Sequence, residues 1–165
     1  GKTLHLAALM KNKGQIIALD IYEWKLAELK RRAKRAGAHN IETRFIEDNK
    51  VIKRLHEKAD RLLIDAPCSG LGVLKRNPDS KWKIDQDFID RIKNEQQQIL
   101  QDYSKMLKKG GKMVYATCSI LPSENNEQVE TFLKNNEGFT LLKEEKIMPS
   151  DGFDGFYMAL IQRNA

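Results

Sequence analysis

The chain has 165 residues, 41% hydrophobic and 32% charged, which is enough for one folded core and too apolar for a disordered chain. Twenty-nine basic residues against 23 acidic ones leave a net charge of +6, which suits a polyanionic partner. Short apolar runs, as at 16–19 and 62–64, exclude a membrane-spanning helix, and two cysteines fifty positions apart make no disulfide framework and point to a reducing, cytoplasmic setting.

In chain order, strand-like and helix-like stretches alternate. Residues 3–11 read as helix, and 15–19 as a short strand ending at Asp20. Tyr22, Leu26, Leu29, Ala33 and Ala36 recur at helical spacing, with Gly37 as the stop. A strand at 41–46 runs toward Asp48, and a short helix covers 49–57. A strand at 60–64 runs into Asp65, and a polar stretch rich in Gly, Pro, Asn and Ser fills 66–86. A helix at 87–107 carries Phe88, Ile92, Ile99, Tyr103 and Leu107 on one face and is expected to end at Gly110-Gly111. A strand at 113–116 follows, then Thr117-Cys118-Ser119, a helix capped by Ser123 through 134, and strands at 139–146 and 155–161.

Strands alternating with helices of this length predict a mostly parallel sheet with helices on both faces, in one domain over residues 1–165. The chain opens Gly1-Lys2-Thr3 without Met and enters a helical pattern at once, so a strand and part of a loop are expected upstream. The 66–86 stretch is too long for an ordinary connection and reads as a functional loop.

In open α/β sheets, ligands gather beyond the carboxyl ends of the strands. Asp20, Asp48, Asp65 with Cys68, and Thr117 with Cys118 are all assigned there. A carboxylate at Asp20 can accept the hydroxyls of a ribose or cap the helix at 22–36. Asp48 can take an adenine amino group or cap the helix at 49–57. Cys68 lies in the polar segment Asp65-Ala66-Pro67-Cys68-Ser69-Gly70, which speaks against simple burial. Cys118 sits between a strand and a helix, where a thiol can be activated as a nucleophile. His5, His39 and His56 are scattered, so no zinc spacing is present and no metal is expected.

DAPCSGLGVLKRNPDSKW at 65–82 together with YATCSILPSENNEQV at 115–129 resembles the RNA cytosine-5 methyltransferases of the Sun/Nol1/Nop2 group, most closely the bacterial RsmB-type ribosomal RNA enzymes. Gly1-Lys2-Thr3 is similar to the end of that family's glycine loop, and Asp154-Gly155-Phe156-Tyr157 to its last-strand motif. The resemblance implies a Rossmann-like class I fold that uses S-adenosylmethionine, in a catalytic-domain fragment whose first strand lies upstream. It implies Cys118 as nucleophile toward carbon 6 of cytosine and Cys68 as helper in adduct breakdown. It further implies Asp65 on the amino group and N3 of cytosine, and Lys2 near cofactor and base. Gly1, Lys2, Asp20, Asp48, Asp65 and Pro67 would line the cofactor. Lys75, Arg76 and Lys81 would meet RNA, ribosomal or transfer, or brace their loop, whereas Lys30, Arg31 and Arg32 read as a solvated face. No membrane partner is implied, and a monomer is expected. Two other readings stay open: a nucleotide hydrolase, because Gly-Lys-Thr also ends a P-loop, and a non-catalytic RNA-binding module of the same fold.

Overall fold

The computed structural model describes all residues 1–165 and divides into two compact units, Gly1–Arg54 and Leu55–Ala165. The first unit holds α1 (Lys2–Leu9), β1 (Ile16–Asp20), α2 (Glu23–Arg35), β2 (Ile41–Phe45) and α3 (Asn49–Lys53). β1 and β2 pair in parallel, from Ile16 opposite Ile41 to Asp20 opposite Phe45. Leu26 and Ala33, seven positions apart, bury one face of α2. Arg32, Lys34 and Arg35 occupy its last turn, where cations complement the partial negative charge of a helix end. Lys30 and Arg31 are exposed, and Arg31 pairs with Glu28 one turn back. That basic run stabilises its own helix in solvent.

The second unit holds β3 (Ala59–Asp65), α4 (Ser80–Lys83), α5 (Gln86–Tyr103), β4 (Leu107–Thr117), α6 (Asn126–Lys134), β5 (Phe139–Ile147) and β6 (Phe156–Arg163). Its sheet has the order β3-β4-β6-β5. β3 and β4 are parallel, and β6 is antiparallel to both β4 and β5, so three strands share one direction and β6 alone opposes them. The chain dictates this. Residues 148–155 are too few for the crossover that a parallel β5–β6 pair would need, whereas α6 supplies one between β4 and β5. The core gathers Ile64, Leu100, Leu107, Met113, Tyr115, Val129, Phe132, Tyr157, Ala159 and Ile161. No helix is long and apolar enough to cross a membrane.

Four sequence expectations are corrected. The helix expected to reach Gly110-Gly111 stops at Tyr103 and tightens into a 3-10 turn over Ser104–Met106. Both glycines lie inside β4, at a bulge where the register slips from Ala59 opposite Leu107 to Arg61 opposite Lys112. The buried face of α5 is Ile89, Ile92, Gln96 and Leu100, and Asp85 caps it by accepting the Phe88 N–H at 2.8 Å. Ser123 caps nothing: it sits in a 3-10 turn over Pro122–Glu124, and α6 starts after Asn125, because proline favours that turn before the helix. The polar 66–86 stretch carries local structure of its own, a 3-10 turn over Leu71–Val73 and the single-turn α4.

One close approach ties this stretch to the sheet. The Gly72 N–H donates to the Cys118 carbonyl at 2.9 Å, and the Gly155 N–H donates to the Gly72 carbonyl at 2.7 Å. A Cβ on Gly72 would stand 2.2 Å from the Gly155 carbonyl oxygen and 2.7 Å from that of Cys118, both backbone atoms that cannot step aside. Gly72→Ala is therefore expected to cost about 1–3 kcal/mol through overpacking, read as a lower unfolding midpoint in urea. An unchanged midpoint would show that the three segments do not need this contact.

Candidate active site

In the first unit, Asp20 ends β1 and Asp48 follows β2, so parallel pairing brings two carboxylates to neighbouring strand ends. Asp20 Oδ1 accepts the Tyr22 N–H at 2.9 Å, and Oδ2 lies 4.0 Å from Lys25 Nζ. Asp48 caps α3 by accepting the Lys50 N–H at 2.8 Å. That backbone hydrogen bond is the main cause holding its carboxyl below the usual aspartate range. The capping role expected as an alternative for Asp48 is therefore present. Past Asp20 come three exposed apolar side chains, Ile21, Tyr22 and Trp24, with Lys25 Nζ 4.4 Å from the centre of the Tyr22 ring. Gly1 precedes α1 as its N-cap, and Lys2 is the first, exposed residue of that helix.

In the second unit, the parallel pairing of β3 with β4 sets Asp65 opposite Ala116, and the Ala66 N–H extends the ladder to the Ala116 carbonyl at 2.9 Å. Two chain segments thus leave the sheet side by side, each carrying a cysteine three or two residues on. Their sulfurs meet: Cys68 Sγ lies 3.3 Å from Cys118 Sγ. Both thiols are free and half-buried. Gly70, at φ +72°, turns the first segment away through a left-handed conformation.

The hydrogen bond with Cys118 is the largest influence on Cys68, followed by burial; both hold its thiol well above the ordinary range, so Cys68 keeps its proton. Either sulfur can be the donor in the pair. Asp65 stands exposed at the end of β3, and Pro67 is half-buried, its carbonyl accepting from Gln96 Nε2 at 2.8 Å.

The basic residues of the loop are divided. Arg76 is ion-paired to Asp154 at 2.7 Å, so it braces the loop against the turn before β6. Lys75 is exposed, and Lys81, in α4, lies 4.9 Å from the centre of the exposed Trp82 ring. No cluster of three or more His, Cys, Asp or Glu side chains has the form of a metal site.

Sequence reasoning missed the polar layer beneath the cysteines: Ser69, Ser119, Glu124, Asn125 and Gln96 are all buried. Thr117 Oγ1 donates to Asn125 Oδ1 at 2.5 Å, and Asn125 Nδ2 donates to the Ser119 carbonyl at 3.0 Å. The available signal was the repeated Cys-Ser pair at 68–69 and 118–119, followed by a glutamate inside the turn that precedes a helix.

The raised Cys68 thiol predicts its reactivity. Near pH 8.5, where an ordinary thiol is about half ionised, Cys68 is expected to react with iodoacetamide at less than about a tenth of the rate of free cysteine, followed by peptide mass spectrometry. A rate equal to free cysteine would mean that the sulfur pair does not hold the proton.

The family matching residues 1–162 is described as 16S rRNA methyltransferase RsmB/F. A probable ribosomal RNA small subunit methyltransferase B from Bacillus subtilis is 38% identical over 140 residues, covering 84% of this chain and 31% of the relative. The ribosomal RNA small subunit methyltransferase B of Proteus mirabilis is 36% identical over 166 residues, covering 99% of this chain and 39% of the relative. The chain thus spans 31% to 40% of the length of such curated relatives. Among solved structures, NSun6 from Pyrococcus horikoshii, solved with SFG, superposes with a TM-score of 0.89 at 29% identity, over the whole of this chain and 45% of that one. More distantly, TrmN from Thermus thermophilus (TM-score 0.62, 18% identity, 98% of this chain and 40% of that one) shares the fold alone. The fold is the Rossmann-like class I methyltransferase fold. With nearly every residue of the chain inside the match, the chain belongs to the 16S rRNA methyltransferase RsmB/F family.

Proposed function

We propose that residues 1–165 act as one methyltransferase catalytic domain, which transfers a methyl group from S-adenosylmethionine to carbon 5 of a cytosine in RNA, with ribosomal RNA as substrate. The observation that carries this reading is the pair of free thiols 3.3 Å apart at neighbouring ends of parallel strands. A nucleotide hydrolase gives that pair no work, and a passive RNA-binding module has no use for a sulfur held protonated against another. The relatives' names favour ribosomal RNA over transfer RNA.

The first unit fits the cofactor by its chemistry. Asp20 has acceptor sites beyond the one taken by Tyr22 and is matched to ribose hydroxyls. Asp48 offers a carboxylate to an adenine amino group beside its capping bond, and the apolar surface of Ile21, Tyr22 and Trp24 suits a flat base. Gly1 and Lys2, at the start of α1, complete the set proposed for this unit. SFG, held by a relative, is an analogue of S-adenosylmethionine. When bound, S-adenosylmethionine supplies an electrophilic methyl group.

The chain's own residues then prepare the base. Carbon 5 of cytosine is a poor nucleophile. Cys118, as thiolate, forms a bond to carbon 6, and the electron pair of the 5,6 double bond moves to carbon 5, which becomes able to take a methyl. Asp65 accepts hydrogen bonds from the amino group and from N3 once that nitrogen takes up a proton as the ring gains electron density. After methylation, carbon 5 must lose its proton and the carbon–sulfur bond must break. Cys68 gives its proton to the departing Cys118 sulfur and takes the proton from carbon 5 in exchange, so both are thiols again, and the one proton that the methylation releases is the one Cys118 lost to solvent on becoming a thiolate. Lys75 and Lys81 contact the RNA backbone, a term that weakens with salt. A paired cytosine must first be unstacked to reach the sulfur.

Two measurements test this in the intact protein. Asp20→Ala is expected to weaken S-adenosylmethionine binding by about 1–3 kcal/mol in calorimetry, as hydrogen bonds to ribose are lost. Unchanged affinity would remove the cofactor assignment. With labelled substrate RNA on a denaturing gel, Cys118→Ala is expected to form no covalent complex and Cys68→Ala to accumulate one. The reverse pattern would exchange the two roles.

A further inference from the structure

Beneath the two thiols lies a carboxylate that the reaction above does not use. Glu124 is fully buried, at 0% exposure. Its Oε1 accepts the Ser69 N–H at 2.7 Å, its Oε2 accepts the Ser69 hydroxyl at 2.5 Å, and Oε2 also accepts the Ser119 hydroxyl. Ser69 follows Cys68 directly, and Ser119 follows Cys118 directly. One side chain therefore grips both cysteine-bearing segments, each at the residue next to its sulfur.

We infer that Glu124 is a positioning residue that sets the separation of the Cys68 and Cys118 sulfurs by clamping Ser69 and Ser119; the inference rests on the proposed thiol chemistry. Burying a carboxylate is costly unless its oxygens are hydrogen-bonded, and an apolar side chain could fill the same volume more cheaply. What a carboxylate adds is directional acceptance from two segments at once. Glu124 is itself fixed. Its carbonyl accepts the Tyr115 hydroxyl at 2.8 Å, and the buried Gln96 Nε2 reaches its Oε1 at 3.5 Å while donating to the Pro67 carbonyl at 2.8 Å. The clamp thus joins β4, α5 and the 3-10 turn before α6 to both cysteine segments. Because each sulfur is one residue from the clamp, loosening it moves the nucleophile relative to its proton partner. Misplacement by about 1 Å is enough to slow a reaction by roughly a hundredfold.

The test compares wild type with Glu124→Gln, which keeps the volume but loses an acceptor oxygen, and with Ser69→Ala and Ser119→Ala, which each remove one hydroxyl. Covalent-complex formation is followed on RNA carrying 5-fluorocytidine, alongside kcat and KM for methylation and the thermal melt. Glu124→Gln is expected to lower kcat and the rate of complex formation by about 10–100-fold, with KM for RNA within about twofold of wild type. Adding Ser119→Ala to Glu124→Gln is expected to cost little more, because both break the same contact. If Glu124→Gln does not fold, Ser119→Ala carries the same expectation for kcat. A folded Glu124→Gln or Ser119→Ala protein that forms the complex at the wild-type rate, with only a lower melt, would overturn the inference, as would fully additive losses in the double variant. Absence of any complex in wild type would instead overturn the proposed reaction, and the inference with it.

Discussion

The parallel register of β3 with β4 is the constraint on which the catalytic half depends. Strand ends that stop in step, with Asp65 beside Ala116, release two segments at the same height above the sheet. A one-residue slip would send every side chain of a strand to its opposite face and separate the sulfurs. Below them, Ile64 of β3 shares one apolar core with Met113 and Tyr115 of β4. Tyr115 of β4 and Tyr157 of β6 are almost wholly buried, with ring centres 6.4 Å apart and edge-to-face. Phe132 of α6 meets Phe139 of β5 at 5.1 Å in similar geometry.

Above this apolar layer the interior turns polar while staying buried. Tyr115 spans the change: its ring is core, and its hydroxyl donates to the Glu124 carbonyl. Burial, more than the neighbouring charges, pushes its phenol well above the ordinary range, so it stays a donor. Thr117, Ser119, Asn125 and Gln96 continue the layer with hydrogen bonds among themselves and to backbone. Directional bonds of this kind specify positions more narrowly than apolar contacts do, and the layer lies directly under the residues whose placement matters to about an ångström.

Basic residues of equal charge do different work. Arg32, Lys34 and Arg35 complete α2, and Arg76 is engaged by Asp154. Lys75 and Lys81 are exposed on the loop that follows the cysteine segment. A net charge of +6 is therefore a weak guide to where a polyanion lies, because helix ends and loop braces use much of it.

Local chemistry made the element order, the two cysteine segments and the strand-end carboxylates legible from sequence. Leu26 and Ala33 at helical spacing, short apolar runs closed by aspartate, and cysteines set among Gly, Pro and Ser are all patterns within a dozen residues. The family likeness at 65–82 and 115–129 rests on such contiguous motifs too. Where the sequence misled, a neighbour distant in the chain decided the outcome. Gly110-Gly111 looks like a helix stop, yet β3 recruits it into a bulged strand. Ser123 looks like a cap, yet proline turns that segment first. Arg76 reads as an RNA contact or a loop brace, and the Asp154 that it braces against lies beside it only after folding. Glu124 shows no local sign of burial; its two serine partners lie 55 and 5 positions away, and only the register of two strands brings them to one carboxylate. Periodicity and turn chemistry act over short stretches and can be read from the chain. Hydrogen bonds between segments depend on coordinates that no local pattern contains.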